Sequence, residues 1–340
     1  MKALVIGTGS IGRRHISNLL ELGHKVCAYS YRGKSSIIQE LHPDVILVED
    51  WLDALQGNID LVFVANSTEQ HIEVALQAAR LGKNLYIEKP LSLSLAGIEE
   101  LKYLVEANHL VVETGFMLRS HPNLIWIKKY IEEGKLGELM HIRASVGQWL
   151  PDWRPDTNHR LGYSALREKG GGVIFDLIHE LDLVAWLGGK IVDVAAMIRY
   201  VPLLEIQTEA IAQINLRLDS GALAQVHLDY VRPGYDRMLE VVGEKGVLSW
   251  GYSKGVVSLG ESDRSVSLVH RTPQAFSRNQ MFLEHMEHFL QRVAAPAIPE
   301  FSSLQDGIDA LSVALACHIS ASERRHIHLD EVATSFDFKE

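Results

Sequence analysis

The chain has 340 residues, which favours two domains, and its 47% hydrophobic and 22% charged residues are typical of a globular protein. The net charge of −10 argues against nucleic acid or an anionic membrane surface as a partner. No apolar run approaches the ~18–20 residues of a membrane span, and glycines interrupt the first apolar segment, so we expect no secretory signal. With two cysteines and no Cys-x-x-Cys, we expect a reduced, cytoplasmic protein without a metal site.

The first thirty residues read as strand, glycine-rich turn, helix and strand. Residues 2–6 form a short, mainly apolar run, 13–22 have helical spacing, and 25–29 are again strand-like. A G-x-G-x-x-G pattern in this context predicts a dinucleotide site. Its first glycine allows a tight turn, its second lets a pyrophosphate approach the backbone, and its third lets the helix pack close to the strand. The predicted cofactor-binding residues of this loop are Gly7, Thr8, Gly9, Ser10, Ile11 and Gly12.

The end of the second strand bears on the choice of cofactor. An acidic residue that holds the adenosine ribose is expected about 20 residues after the glycine motif, but Ser30 stands there and Arg32 follows. A hydroxyl beside a guanidinium would hold a 2′-phosphate, which favours NADP over NAD. Tyr31 or Arg32 could also stack on the adenine. A solvated Arg32, in an enzyme that accepts NAD or NADP, stays open as the alternative.

Strand-like runs continue to alternate with helical segments at 44–48, 60–64 and 84–87. This alternation predicts a doubly wound parallel sheet of the Rossmann type, with helices on both faces. Ligands bind at the carboxyl ends of such strands. Further residues assigned to cofactor binding at this edge are Asn66, Ser67, His71, Glu88 and Lys89.

The pattern changes after residue 119, so we predict a Rossmann domain at 1–119 and a second domain at 120–340. Strand-like stretches with alternating polarity follow one another in the second part, which predicts an α+β domain with a large, mostly antiparallel open sheet. They span 140–148, 192–200, 209–218, 222–230 and 237–243.

Three glycines at 170–172 precede a predicted buried helix from 173 to about 187. Asp176 and His179 are three residues apart in it and would share a face. A carboxylate beside an imidazole can fix its tautomer and raise its basicity, which is typical of a general acid/base pair. A capping Asp beside a hydrogen-bonded core His would give the same pattern.

Together these motifs resemble the glucose–fructose oxidoreductase, inositol dehydrogenase and rhizopine catabolism (Gfo/Idh/MocA) family. The resemblance covers nearly the whole chain. It is carried by Gly7-x-Gly9-x-x-Gly12 with Arg14-His15, by Glu88-Lys89-Pro90, by Arg119-x-His121-Pro122 and by the triple-glycine Asp/His segment. It implies a Rossmann domain, a second α/β domain whose open sheet forms a homodimer or homotetramer, and a sugar-like or cyclitol substrate.

The resemblance also implies an NAD(P)-dependent dehydrogenase in which Lys89, Asp176 and His179 are catalytic. A hydride would pass between nicotinamide and a carbinol or carbonyl carbon. We assign the proton transfer to His179 and the stabilisation of alkoxide-like charge to Lys89. Many members have the Asp and His four residues apart. Whether Asp176 contacts substrate or orients His179 therefore stays open.

The segment from Trp149 to Pro155 is similar to a branch associated with nine-carbon acidic sugars and surface polysaccharides, which suggests an acidic or nucleotide sugar. The residues predicted to bind substrate are Lys89, Arg119, Arg154, Arg160, Tyr163, Asp176 and His179. Two alternatives stay open: a non-catalytic regulator that binds NADP and a sugar, and a dehydrogenase of a non-sugar substrate such as a dihydrodiol.

Overall fold

A computed structural model describes residues 1–31, 36–261 and 265–332. Arg32, to which the phosphate hypothesis was assigned, lies outside them. Contacts divide the chain into two compact units. The first comprises Met1–Met117 and Arg278–Ile308, and the second comprises Leu118–Ser277 and the chain from Asp309 onward.

The N-terminal part of the first unit is built from strands that alternate with helices. In chain order these are β1 (Lys2–Ile6), α1 (Ser10–Glu21), β2 (Lys25–Tyr29), α2 (Ser36–Leu41), β3 (Ile46–Leu47), α3 (Trp51–Gln56), β4 (Leu61–Val64), α4 (His71–Arg80), β5 (Asn84–Ile87), α5 (Ile98–Ala107) and β6 (Val112–Thr114). The strands pair in parallel in the order β3-β2-β1-β4-β5-β6. The predicted Rossmann architecture is confirmed.

The register of this sheet aligns the carboxyl ends of its strands. Ile6, the last residue of β1, pairs with Tyr29 and Val64, the last residues of β2 and β4. Val64 in turn pairs with Ile87, and Ile87 with Thr114. The loops that leave these strands therefore start at one level, which brings the predicted cofactor-binding segments to a common edge.

The second unit is built around a larger sheet. The remaining elements are α6 (Pro122–Glu132), β7 (Leu139–Gly147), α7 (Val173–Asp176), α8 (His179–Gly188), β8 (Ile191–Arg199), β9 (Ile211–Leu218), β10 (Leu223–Asp229), β11 (Asp236–Gly243), β12 (Gly246–Gly251), β13 (Val256–Gly260), β14 (Val266–Arg271), α9 (Arg278–Ala294), α10 (Leu304–Glu323) and β15 (Ile327–His328). The strand order is β14-β13-β12-β11-β7-β10-β9-β8-β15, with β10 parallel to β7 and the other pairs antiparallel. The predicted mostly antiparallel sheet is confirmed, and the sequence prediction did not include β12 to β15.

Helix α9 belongs to the first unit, whereas the predicted boundary at 119/120 placed it in the second. Its side chains Met286, Phe289 and Leu290 enter the same core as Phe63 and Tyr86. The boundary differs because this helix packs on the sheet formed some 200 residues earlier in the chain. Among the described residues, no helix has the length and apolarity that a bilayer span requires.

Candidate functional site: a glycine loop, a lysine loop and an Asp/His segment

The glycine loop joins β1 to α1, and its three glycines differ in their surroundings. Gly7 has φ +104°, and a Cβ there would collide with the Ala65 carbonyl oxygen. A Cβ on Gly12 would collide with the Gly7 carbonyl oxygen. By contrast, no described atom beyond the adjacent residues lies within 4 Å of the Cβ position of Gly9, the N-cap of α1. Open space beside the first N–H groups of a helix fits a pyrophosphate. Thr8, Ser10 and Ile11 complete the loop.

A cleft of about 380 Å³ lies at the carboxyl ends of β2 and β3. Its lining residues are Ala28, Tyr29, Ser30, Tyr31, Leu47, Val48 and Glu49. The Tyr31 ring meets the Tyr29 ring edge-on at 4.9 Å, and the Asn66 amide donates a hydrogen bond to its hydroxyl. Burial, followed by the charge of Glu73, raises the pKa of Tyr31 to about 12, so the phenol is neutral at physiological pH. The structure thus brings the predicted residues Ser30, Tyr31 and Asn66 together.

Glu49 in this cleft was missed by the sequence reasoning, which looked for an acid at the end of β2. It follows β3 instead, and its side chain is exposed. A carboxylate here would accept a hydrogen bond from a ribose hydroxyl and would repel a 2′-phosphate.

The lysine loop follows β5 at the same edge of the sheet. Lys89 is half-buried, and its peptide bond to Pro90 is cis. His71 lies beneath the loop, with Nδ1 2.9 Å from the Pro90 carbonyl oxygen and Nε2 3.2 Å from that of Asn66. Burial lowers the pKa of His71. His71 is thus buried between the Lys89 loop and the half-buried Asn66–Ser67 loop, and in its neutral form it donates to one of these two carbonyl oxygens.

In the second unit, the predicted continuous helix is interrupted. Asp176 is the last residue of α7 and His179 the first of α8, because Leu177 leaves helical geometry at φ −103° and ψ +27°. The argument that Asp176 and His179 share one helix face was therefore wrong. Oδ2 of Asp176 accepts hydrogen bonds from the Ser164 hydroxyl at 2.5 Å and the Tyr230 hydroxyl at 3.1 Å.

The half-buried Asp176 carboxylate is thus held by two neutral hydroxyl donors. Burial, followed by the charge of Asp176, raises the pKa of Tyr230 well above its ordinary value, so this phenol stays protonated and keeps donating. Tyr163 lies close enough to Tyr230 to contribute to the same shift, and the Trp153 ring meets Tyr230 edge-on at 5.3 Å. Sequence reasoning found Tyr163 but missed Ser164 and Tyr230, although Ser164 is its neighbour.

The predicted arginines take different positions. Arg119 is buried, and its Nε and Nη2 donate to Asp182 at 3.2 and 2.5 Å, so it fixes α8 from within. Arg160 is exposed and donates to Glu205 at 2.8 Å. Arg154 is exposed on the same loop region. His179 itself is 4% exposed at the start of α8.

The Glu209 carboxylate packs against the triple-glycine turn. Its Oε1 accepts a hydrogen bond from the Ile174 N–H at 3.2 Å, and a Cβ on Gly172 would collide with its carboxylate. Burial raises the pKa of Glu209 to about 7. Thus the third glycine, with φ +104°, leaves room for a buried acid beneath α7.

The first unit therefore has the Rossmann architecture of dinucleotide-binding proteins, with a glycine loop that fits a pyrophosphate. Comparison with known families agrees: the model for the oxidoreductase family with NAD-binding Rossmann fold matches residues 1–116. The model for the GFO/IDH/MocA C-terminal domain matches residues 125–249. The chain belongs to the Gfo/Idh/MocA family and is an NAD-binding oxidoreductase.

Characterised relatives align along almost the full length. The myo-inositol 2-dehydrogenase of Thermotoga maritima is 26% identical, over 98% of this chain and 99% of the relative. The scyllo-inositol 2-dehydrogenase (NAD(+)) of Bacillus subtilis is 25% identical, over 97% and 96%. A solved levoglucosan dehydrogenase in complex with NADH superposes with a TM-score of 0.86 at 18% identity, over 97% of this chain and 99% of that one, a likeness that shows the fold.

Proposed function

We propose that this oxidoreductase is an NAD(P)-dependent dehydrogenase that interconverts a carbinol and a carbonyl group on a cyclitol, sugar or sugar derivative. The observation that carries the proposal is the pairing of an open Gly9 position with Lys89 at the end of β5, in the unit that fits a dinucleotide. The inositol dehydrogenases that align along the whole chain support a polyhydroxylated substrate.

The glycine loop would hold the pyrophosphate, and the cleft at Ser30, Tyr31 and Glu49 would hold the adenosine. When bound, the nicotinamide cofactor supplies the hydride acceptor or donor. In this proposal Lys89 donates a hydrogen bond to the reacting oxygen and stabilises its negative charge, while His179 exchanges the proton with that oxygen.

Asp176 takes part through its hydroxyl donors. Because Ser164 and Tyr230 donate to its Oδ2, the carboxylate is held in one orientation. We assign to the Asp176 carboxylate the binding of a substrate hydroxyl, with Tyr163 beside it. Arg154 and Arg160, in the exposed loop, are assigned to a substrate carboxylate or phosphate, which is the feature that an acidic or nucleotide sugar would add.

The preference for NADP stays a prediction that rests on Ser30 and Arg32. Glu49 acts in the opposite direction, because its carboxylate lines the same cleft. Comparing NADH and NADPH binding in variants of Arg32 and Glu49 therefore tests two residues of opposite charge. We also place the protein in the cytoplasm, in keeping with the buried thiols of Cys27 and Cys317.

We further propose that the open face of the second sheet forms a homodimer or a larger homo-oligomer. Met197, Leu223 and Met238 project from it and are 72%, 52% and 47% exposed in the single chain. They lie among polar neighbours, as expected for an interface with a mixed surface. Light scattering after size exclusion should show an oligomer that Met197→Asp dissociates, and a monomeric wild type would refute this.

The catalytic proposal is tested by absorbance at 340 nm with NAD and NADP against inositols, hexoses, amino sugars, nucleotide sugars and sialic-type acids. Lys89→Ala and His179→Ala should each lower kcat by about 10²–10⁴-fold while NADH still binds. Lys83→Ala and His24→Ala, both outside the two loops, serve as matched controls. Turnover unchanged in Lys89→Ala or His179→Ala would remove that residue from the mechanism. NADH binding without turnover on any substrate would favour a regulator.

A further inference from the structure

A buried pair of side chains connects the glycine-loop helix to the lysine loop. His15 lies in α1, and its Nε2 is 2.7 Å from Oε1 of Glu88, the residue before Lys89. The side chains are 1% and 9% exposed. The two residues are 73 positions apart in sequence, so the pair joins segments that the proposed function uses for different purposes.

Packing fixes both partners of this pair. The His15 ring lies against Phe63 and Tyr86, with centroid separations of 5.3 and 5.1 Å. On the other side Gly115 packs against the Glu88 carboxylate, where a Cβ would lie 2.9 Å from Oε2. Enclosed in this way, the carboxylate has little freedom to rotate.

The carboxylate also contacts the lysine directly. Oε2 of Glu88 accepts a long hydrogen bond, 3.3 Å, from the backbone N–H of Lys89. Burial alone would raise the pKa of Glu88, but the hydrogen bond and charge of His15, followed by the charge of Lys89, outweigh it and lower the pKa. Glu88 is therefore ionised at neutral pH. The titratable and charged groups around it are Arg14, His15, His71, Tyr86 and Lys89.

We propose that His15 is a positioning residue for Lys89: by holding the Glu88 carboxylate in one rotamer, it sets the position of the lysine at the end of β5. The pair also makes α1, whose first turn would hold the cofactor phosphates, part of the same rigid group as the lysine loop. The catalytic consequence rests on the proposed function, whereas the positioning itself does not.

The deciding experiment therefore does not need turnover. Lysines are acetylated with trace acetic anhydride at pH 8, and the labelling rate of Lys89 relative to Lys83 is read by peptide mass spectrometry. In His15→Leu the buried carboxylate loses a donor and its fixed rotamer, so the lysine loop that it contacts is less firmly held. Because a loosened loop exposes the half-buried Lys89 amine, we expect it to be labelled about threefold to tenfold faster, and at least as fast in Glu88→Gln.

Two further variants separate positioning from general loosening. His15→Gln keeps a donor towards Glu88 and should label nearly as the wild type does. His285→Leu removes another buried histidine of the same unit, which contacts Tyr86 Oη at 2.9 Å and Ser302 Oγ at 2.7 Å, and serves as the matched control. Labelling of Lys89 in His15→Leu that equals labelling in the wild type or in His285→Leu would overturn the proposal.

Kinetics then test the consequence. If Lys89 is misplaced, kcat in His15→Leu should fall by up to about 100-fold, with the Kd of NADH nearly unchanged. Combining His15→Leu with Glu88→Gln should cost little more than Glu88→Gln alone, because one residue acts through the other. A labelling change in a protein with no turnover on any substrate refutes the proposed function and leaves the positioning intact. Normal turnover with unchanged labelling refutes the positioning and leaves the proposed function intact.

Discussion

Replacing Glu209 with Gln should change how the stability of the second unit depends on pH. Burial raises the pKa of Glu209 from its ordinary 4.5 to about 7. Between these values the folded chain keeps a proton that the unfolded chain has lost, so the free energy of unfolding falls as pH rises through this window. At ~1.4 kcal/mol for each pH unit, the loss reaches about 3 kcal/mol by pH 8.

Gln has the shape of the protonated acid and keeps an oxygen to accept the hydrogen bond from the Ile174 N–H. Glu209→Gln should therefore match the wild type at pH 5 to within about 1 kcal/mol and exceed its stability by up to about 3 kcal/mol at pH 8. Burial of the carboxylate, at 2% exposure, is what makes the effect large.

Urea unfolding followed by tryptophan fluorescence at pH 5, 6, 7 and 8 measures the difference. Of the six tryptophans, all but Trp51 lie in the second unit, so Trp51→Phe gives a background that reports on that unit. Glu168→Gln, at an exposed carboxyl of the same unit, is the control and should show no such trend. The same pH dependence in Glu209→Gln and wild type would show that Glu209 is not the group that titrates.

Three further predictions follow from the structure. Gly9→Ala should leave the unfolding transition nearly unchanged, because its Cβ meets no described atom, yet calorimetry should show at least about tenfold weaker NADH binding; unchanged binding would mean that the pyrophosphate lies elsewhere. Arg119→Leu leaves the buried Asp182 without its cation and should cost about 3–5 kcal/mol in urea unfolding, most of it recovered in the Arg119→Leu/Asp182→Leu double variant; a double variant as unstable as the single one would argue against an unpaired charge. The NADPH-to-NADH affinity ratio, from fluorescence titration, should fall in Arg32→Ala and rise in Glu49→Gln, and a ratio that neither substitution moves would place the ribose outside the cleft.

The glycine loop could be predicted from the sequence because its requirements are local. A turn with φ +104° at Gly7 and the close approach of Gly12 admit no other residue type, and a strand and a helix flank them within a few positions. The same holds for Glu88 and Lys89, which follow a short strand whose last three residues are buried. Such signals depend on neighbours in the chain, and the structure confirms the glycine turn and the strand ends that they predicted.

Contacts between distant segments could not be predicted in this way. Asp176 is held by Ser164 and Tyr230, which lie 12 and 54 residues away, and nothing in its local pattern selects them over His179. The sequence pattern does not indicate the helix interruption at Leu177 either, since apolar spacing continues across it. Tertiary packing decides both, so the single helix face inferred from the spacing was wrong, whereas the acid/base roles of the two residues stay a prediction.

Because α9 belongs to the first unit, the order of synthesis and the exchange of units between relatives are both affected. The core that starts at Ala3 is completed by Phe289, so the ribosome must synthesise residues 118–277 first, about 10–30 s at ordinary rates of elongation. Until then the aromatic patch at Phe63 and Tyr86 has no cover from α9. The two units thus alternate along the chain, since the second comprises Leu118–Ser277 and the chain from Asp309 onward. Any exchange of second units between relatives has to respect three junctions rather than one.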